Sequence, residues 1–300
     1  MRLLVTGGSG LLGSKIAEIA VKKGYEVYSG YNRHEAPNGI PISLDISQKT
    51  EVEEQFRRIM PEVVIHTAAV TNVDECEKEK NLAWTTNVEG TGNVAEQSRR
   101  CDAFLIYVST DYVFSGEEGL YKENDETDPI NYYGFTKLKG EEVVKELLPK
   151  WCIARSSVIY GSTPAAGKIN FALWLIDKLR EGETVKIITD QWVSPTLNTN
   201  LAEMIIEIAE RKLTDIYHLA GATPLNRYEF TQLIAETFQL DRSLIEPAQS
   251  NQMNWIAKRP KDTTLNVEKA YKTLNVKPLE IREALRRLKE ETPYLNRYDR

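Results

Sequence analysis

The sequence predicts an α/β protein: a doubly wound parallel sheet with a smaller, mostly helical lobe. Three observations predict it. A short apolar strand at the N-terminus runs directly into a glycine-rich turn and then a helical pattern. Strand-like and helix-like stretches then alternate at βαβ spacing as far as Tyr160. Finally, the polar run Ser109, Thr110, Asp111 closes an apolar strand, and ligands of open α/β sheets bind at such strand ends.

Residues 2–6 read as the first strand. Gly7-Gly8-Ser9-Gly10-Leu11-Leu12-Gly13 follows, satisfying G-x-x-G-x-x-G from Gly7 and G-x-G-x-x-G from Gly8, and Ile16, Ile19 and Ala20 continue as a helix. Glycines let the backbone turn tightly and approach a pyrophosphate, which rests on the helix N-terminus. Gly7, Ser9, Gly10, Leu11, Leu12 and Gly13 are therefore candidate dinucleotide contacts, the alternative being a tight turn without a ligand. Gly24 ends the helix, and Tyr25 to Ser29 form the second strand. After it the chain reads Gly30-Tyr31-Asn32-Arg33-His34, with no early carboxylate for a ribose hydroxyl and with Arg33 available for a 2′-phosphate. This favours NADP over NAD, with Asn32 and Arg33 as contacts. Pro41 to Ile46 reads as the third strand. At its end Asp45 and Ile46 are candidate adenine contacts, and Asp45 is equally a candidate cap for a helix starting near Thr50. Glu62 to His66 is the fourth strand; beyond it the small residues Ala68 and Ala69 leave room for a cofactor against the backbone. A helical stretch containing Trp84, Asn87, Gly90 and Gly92 leads to the fifth strand, Phe104 to Val108.

A long acidic loop separates that strand from Tyr133-Gly134-Phe135-Thr136-Lys137, which opens another helical pattern. Tyr133 and Lys137 are four apart and share a helix face. An adjacent ammonium favours phenolate over phenol, so Lys137 is expected to lower the Tyr133 pKa and fit it for proton exchange with a substrate oxygen. The Thr110 hydroxyl is placed to hold the same oxygen. Farther on, Trp151 to Val158, Val185 to Ile188 and Ile216 to Ala220 read as strands; Phe171 to Arg180, Leu201 to Ala209, Tyr228 to Phe238, Val267 to Leu274 and Ile281 to Lys289 read as helices. No repeat or low-complexity linker divides them. Residues 1–160, with returning segments at about 192–220, are expected to form the NADP-binding Rossmann domain, and 161–300 an interleaved substrate-binding lobe.

The chain has 300 residues, 41% of them apolar and 27% charged, with a net charge of −6. That balance argues against a nucleic-acid partner, which requires a basic surface. No apolar run approaches the ~20 residues of a membrane span, and Met1-Arg2 leads straight into Leu3-Leu4-Val5, leaving no room for a signal peptide. Three scattered cysteines and three scattered histidines suggest neither a disulfide framework nor a metal site. A cytoplasmic, metal-independent protein is expected. The acidic residues between Glu117 and Asp128 read as a solvated loop, ahead of the alternative of a divalent-cation site, and Lys168, Lys258, Arg259 and Lys261 are candidate anion contacts for a substrate diphosphate.

Taken together, TGGSGLLG, HTAAVTNVDECE, STDYVF, YYGFTK and RSSVIYG resemble the extended short-chain dehydrogenase/reductase family over nearly the whole chain. Within it the chain is most similar to the dTDP-4-dehydrorhamnose reductases, above all in STDYVFSGEEGLYKENDETDPINYYGFTKLKGE. The resemblance implies NADPH-dependent reduction of the 4-keto group of a nucleotide-linked 6-deoxyhexose. Tyr133 would protonate the carbonyl oxygen, Lys137 would lower the Tyr133 pKa and hold the nicotinamide ribose, and Thr110, ahead of Ser109, would be the hydroxyl partner. Val70, Asp111 and Tyr112 fall where these reductases touch the sugar, and Asn170 and Gln191 fall in matching substrate-lobe segments. A homodimer is one assembly the resemblance admits. One departure is Arg155-Ser156-Ser157-Val158, where a tryptophan commonly follows Arg-Thr-Ser. The chain is also similar to the regulatory β subunit of methionine adenosyltransferase, which binds NADP on this fold and serves as a partner protein. Dehydratases of the fold carry Thr-Asp-Glu where this chain has Thr110-Asp111-Tyr112, so that chemistry is not expected; an epimerase would hold its dinucleotide tightly.

Overall fold

Seven parallel strands make the central sheet of the computed structural model, which describes residues 1–166 and 168–292. In chain order the first half comprises β1 (Arg2–Thr6), α1 (Leu11–Lys22), β2 (Glu26–Tyr31), β3 (Ile40–Ser43), α2 (Lys49–Ile59), β4 (Val63–His66), α3 (Val73–Lys78), α4 (Lys80–Trp84), a π-helical turn (Thr85–Glu89), α5 (Gly90–Arg100), β5 (Phe104–Thr110), α6 (Tyr132–Leu147) and β6 (Trp151–Ser156). Then come α7 (Phe171–Arg180), α8 (Asn198–Arg211), β7 (Asp215–His218), α9 (Arg227–Phe238), α10 (Glu268–Thr273) and α11 (Ile281–Glu291). The sheet order is β7-β6-β5-β4-β1-β2-β3, so the winding reverses between β1 and β4. A crevice opens there, outside the carboxyl ends of the strands.

Both faces of the sheet are covered at its centre, which is why β1, β4, β5 and β6 are nearly continuous buried runs and not alternating ones; every residue of β5 is buried. Leu3, Val5 and Ile106 pack against Ile16 of α1 and Leu201 and Ile205 of α8. On the opposite face Leu4, Val64, Leu105 and Tyr107 pack against Val52 and Phe56 of α2, Val94 of α5 and Val144 of α6. A separate core gathers Tyr160, Leu175, Ile176, Phe230, Ile234 and Leu285 from α7, α9, α11 and their connections. Beside it the short strands Val185–Ile188 and Ile245–Ala248 pair in parallel. The chain crosses between the two cores more than once: α8 and β7 return to the main sheet after α7 has left it.

Two strands end earlier than their apolar runs suggest. The third stops at Ser43, because the Asp45 carboxylate accepts bonds from the Ser47 N–H (2.9 Å) and hydroxyl (2.7 Å) and turns the chain. Asp45 therefore does not cap α2, whose flanking residue is Gln48 without a side-chain capping bond. The sixth stops at Ser156; Val158 adopts φ +37°, and Ile159–Tyr160 then pairs with Thr196–Leu197 instead of extending the sheet. Positions 167 and 293–300 of the expected substrate lobe lie outside the described residues.

Candidate active site

The glycine loop lies at the winding reversal. Gly7 has φ +70°, and a Cβ there would sit 2.9 Å from the Ala68 backbone, so the turn after β1 and the start of the β4 loop touch through main chain. A Cβ on Gly13 would collide with the Gly7 carbonyl oxygen. The Gly10 N–H donates to the Gly7 oxygen (2.9 Å), and the first turn of α1 has no side-chain cap. Its N–H groups point out of a loop stripped of side-chain bulk, the arrangement that receives a pyrophosphate. Asn32 and Arg33 are exposed at the end of β2. Asp45 is half-buried and tied to Ser47. The Ile46 side chain is buried, and its carbonyl accepts from Asn93, so this residue is core and has only main chain to offer a ligand. Ala68, Ala69 and Val70 line the loop beyond β4, half-buried.

Tyr133 and Lys137 stand on the first two turns of α6. Asn131 caps that helix through its Oδ1, which accepts from the Gly134 N–H (2.9 Å), while its Nδ2 donates to the Lys258 carbonyl (3.1 Å). Thr110 closes β5 facing the tyrosine. Tyr133 is half-buried, and desolvation pushes its phenol up, with the Thr110 hydroxyl drawing it partly back. This reverses the sequence expectation that the neighbouring lysine would bring the tyrosine down. Lys137 is 3% exposed, its ammonium donates to the Val108 carbonyl (2.8 Å), and it lies 4.0 Å from the Tyr107 ring centre. Burial pushes the lysine itself down to about 7, against the opposing pull of Glu141. The outcome is a tyrosine that keeps its proton and a lysine poised near neutrality.

Ser109 is committed elsewhere. Its hydroxyl donates to Glu141 (2.6 Å), a fully buried carboxylate also gripped by Arg155 through two nitrogens (2.9 and 2.7 Å). That leaves Thr110 as the hydroxyl of this strand end that faces Tyr133.

The residues expected at the sugar divide into two groups. Tyr112 and Gln191 meet: the Gln191 amide donates to the Tyr112 hydroxyl (3.2 Å), and the Tyr112 ring stands edge-on to Tyr133 at 6.0 Å. Val70 lies on the same side, held by Asn87, whose side chain accepts from the Val70 N–H (2.8 Å) and donates to its carbonyl (3.1 Å). Asp111 and Asn170, by contrast, are occupied by the protein. Asp111 is 3% exposed and accepts from Thr110 (2.9 Å), Ser157 (2.7 Å) and Thr263 (2.6 Å). Asn170 caps α7 through Leu173 and donates to the Gly161 carbonyl. Neither carboxylate nor amide is turned to a ligand, because each satisfies buried or helix-end groups that would otherwise be unpaired.

Sequence reasoning missed two contributors. Asn87 sits in the π-helical turn and also donates to Thr136 (3.0 Å), tying the β4 loop to α6; π turns recur at functional sites. Asp74 at the start of α3 accepts from the Ile256 and Ala257 N–H groups (3.2 and 3.0 Å) and pairs with Arg259 (3.1 Å). The segment so held forms one wall of a cleft of about 750 Å³, which Trp255, Lys258, Arg259 and Lys261 line on this side and Glu117 and Asp128 on the other. Of the candidate anion contacts, Lys168 lies outside this cleft, on the loop whose Ala166 N–H donates to the Ser9 carbonyl of the glycine loop (3.2 Å), close enough to Cys76 to influence its thiol.

A glycine cradle at the winding reversal with a Tyr133–Lys137–Thr110 set beside it defines a dinucleotide-dependent oxidoreductase of the short-chain dehydrogenase/reductase type. Comparison with known proteins agrees. The chain belongs to the RmlD substrate-binding-domain family, which it matches over residues 1–293. It is 30% identical to a dTDP-4-dehydrorhamnose reductase of Aggregatibacter actinomycetemcomitans, covering 96% of this chain and 98% of that one. It superposes on the crystal structure of dTDP-4-dehydrorhamnose reductase from Bacillus anthracis in complex with NADP, with a TM-score of 0.89, 32% identity and coverage of 97% and 99%. It is also 30% identical to the methionine adenosyltransferase 2 subunit beta of Danio rerio over 88% of this chain and 82% of that one. Among the described residues no helix is long and apolar enough to cross a membrane.

Proposed function

We propose that this protein uses NADPH to reduce the 4-keto group of a dTDP-linked 6-deoxyhexose, the reaction named for its reductase relatives. The observation that carries this reading is the meeting of Thr110, Tyr133 and Lys137 beside the glycine cradle. The residues present suit the dinucleotide: the Gly7–Gly13 loop for the pyrophosphate, Asn32 and Arg33 for the 2′-phosphate, the Ala68–Ala69 backbone along its length and Lys137 for the nicotinamide ribose. When bound, that cofactor supplies a hydride to the carbonyl carbon. Tyr133 gives its proton to the carbonyl oxygen, so one C–H and one O–H bond form. An environment that holds the phenol protonated suits this direction of proton flow. Val70 and Tyr112 contact the sugar, Gln191 holds the Tyr112 hydroxyl from behind while itself bonded by Arg227 (3.1 Å), and the cleft beside Trp255 takes the rest of the substrate.

The sheet with its returning segments is the NADP-binding domain, and the core of α7, α9 and α11 is the substrate lobe; the protein works in the cytoplasm, as a homodimer. The experiment is NADPH consumption with a dTDP-4-keto-6-deoxy sugar generated in the assay, NADH in parallel, for wild type and Tyr133→Phe. Turnover that falls about 10²- to 10⁴-fold in the variant supports the reading. A preference for NADPH that Arg33→Ala abolishes supports the 2′-phosphate contact. Wild-type protein that binds the dinucleotide and leaves the sugar unreduced would favour a regulatory subunit, the reading the Danio rerio relative suggests.

A further inference from the structure

Glu141 stands one helical turn beyond Lys137 on α6, and both side chains are buried. Residues at this spacing share a helix face, and a glutamate and a lysine there ordinarily pair. Here they do not. Among the described residues the Lys137 ammonium bonds the Val108 carbonyl alone (2.8 Å), so two of its three protons are unspent. Glu141 is taken up by other partners: Oε1 accepts from the Ser109 hydroxyl (2.6 Å) and Arg155 Nε (2.9 Å), and Oε2 accepts from Arg155 Nη2 (2.7 Å). Arg155 comes from β6, where it lies opposite Ser109. Its Nη1 donates to the Glu123 carbonyl (3.4 Å), and its guanidinium stands 5.0 Å from the Phe114 ring centre. A bidentate arginine fork adds geometry as well as energy to its grip on a carboxylate, and so outcompetes the point charge of a lysine. Taking two such charges out of water is costly, and apolar side chains of similar volume often serve as well. Stability alone is therefore a weak reason for this pair.

We propose that Arg155 is a positioning residue for the dinucleotide: by taking up the Glu141 carboxylate it keeps Glu141 from capturing Lys137 and leaves the ammonium free for the nicotinamide ribose. This rests on the proposed ribose contact of Lys137 and explains why that contact is open. The depressed pKa of Lys137 agrees, since a carboxylate bonded to the ammonium would hold it up. The other groups around the two side chains do not replace Arg155. Lys137 is faced by Tyr133 on its own helix, Tyr107 from β5, His66 from β4 and Cys76 from α3, none of them a carboxylate. Lys145, on the turn after Glu141, approaches Oε2 alone, at 3.8 Å.

The test is a double-mutant cycle read as the Kd of NADPH in a fluorescence titration. It uses no keto sugar, so its failure is separable from failure of the proposed reduction, which the turnover assay decides. Lys137→Met is expected to weaken NADPH binding at least about tenfold, the loss of a hydrogen bond from a charged donor. Arg155→Met is expected to weaken it by a similar factor, because the bared Glu141 draws Lys137 away. The two losses are expected not to multiply: Lys137→Met/Arg155→Met binds within about threefold of Lys137→Met, since no lysine is left to capture. Glu141→Gln added to Arg155→Met removes the captor and is expected to bring binding back to within about threefold of wild type. Wild-type affinity in Lys137→Met or in Arg155→Met overturns the proposal. Losses that multiply in the double variant also overturn it, because loosening of the fold acts whether or not Lys137 is present. Should Arg155→Met not fold, Arg155→Gln takes its place in the cycle under the same criteria; its amide holds one oxygen of Glu141 and frees the other.

Discussion

Replacing Lys137 by methionine should remove most of the pH dependence of stability that the wild-type protein shows between neutrality and mild alkali. The lysine is 3% exposed and burial depresses it to about 7 from 10.5. At about pH 7 the unfolded chain carries this proton in full and the folded one only half of the time, so folding expels charge and bears a penalty. As the pH rises toward the unfolded value, the unfolded state loses its proton too and the penalty fades; stability therefore increases with pH through this window. Between about pH 7 and about pH 9.5 the relief amounts to roughly two pKa units, or about 3 kcal/mol at about 1.4 kcal/mol per unit. The assay is urea unfolding of the dinucleotide-free protein at several pH values in that range. Tyrosines and cysteines that begin to titrate near the upper end act on wild type and variant alike and cancel in the difference. Wild type should gain about 3 kcal/mol relative to Lys137→Met across the window. Stability curves that run parallel would refute the argument, by showing that the folded lysine holds its proton as firmly as the unfolded one.

Acid should act through two other groups. His66 and His218 are fully buried and depressed to about 3 from 6.5, so they must charge when the chain unfolds; stability is lost as pH falls below about 6.5, by about 2–4 kcal/mol between about pH 7 and about pH 5. Unfolding midpoints in urea at the two pH values test this, and an unchanged free energy would sink it. Gly13→Ala should weaken NADPH binding at least about tenfold, because its Cβ meets the Gly7 carbonyl and displaces the first turn of α1 from the loop. Fluorescence titration with NADPH measures it, and wild-type affinity in this variant would mean the loop is not the cradle.

Local features were legible in the sequence, and long-range ones were not. The glycine loop, its strand and its helix are contiguous, so their spacing carries their geometry. Tyr133 and Lys137 are one helical turn apart, and the helix delivered both to one face. The expected lowering of the Tyr133 pKa by Lys137 rests on spacing alone: spacing reveals a neighbour, whereas the burial of Lys137 under Tyr107 and Val108 depends on a strand some thirty positions away. Asp111 looked like a sugar contact for a similar reason. Its true partners, Ser157 and Thr263, come from 46 and 152 positions off, and no periodicity connects them. The resemblance ranks Thr110 ahead of Ser109, but the physical reason, the buried Glu141–Arg155 pair that takes the Ser109 hydroxyl, comes from distant parts of the chain. The third strand ended early at an Asx turn, which Asp45 and Ser47 did signal and which the apolar run Pro41 to Ile46 masked.

The wall of the cleft beside Trp255 is fastened largely through its own main chain. Asp74 receives the N–H groups of Ile256 and Ala257, Asn131 donates to the carbonyl of Lys258, and Gln191 to that of Pro260. The Trp192 N–H reaches the carbonyl of Lys261, and the Asp262 N–H reaches that of Gly116. The anchors are side chains and backbone from elsewhere; what the segment contributes is peptide, which every residue type supplies apart from the missing N–H of proline. Arg259, which pairs with Asp74, bonds the Ala257 carbonyl and lies over the Trp255 ring, is the side chain of the segment that shares this duty; Lys258 and Lys261 are released from it. A lineage can rewrite Lys258 or Lys261 to suit a new nucleotide or sugar while the proton-transfer machinery behind Asn131 stays in register, so that substrate choice and chemistry evolve on separate clocks.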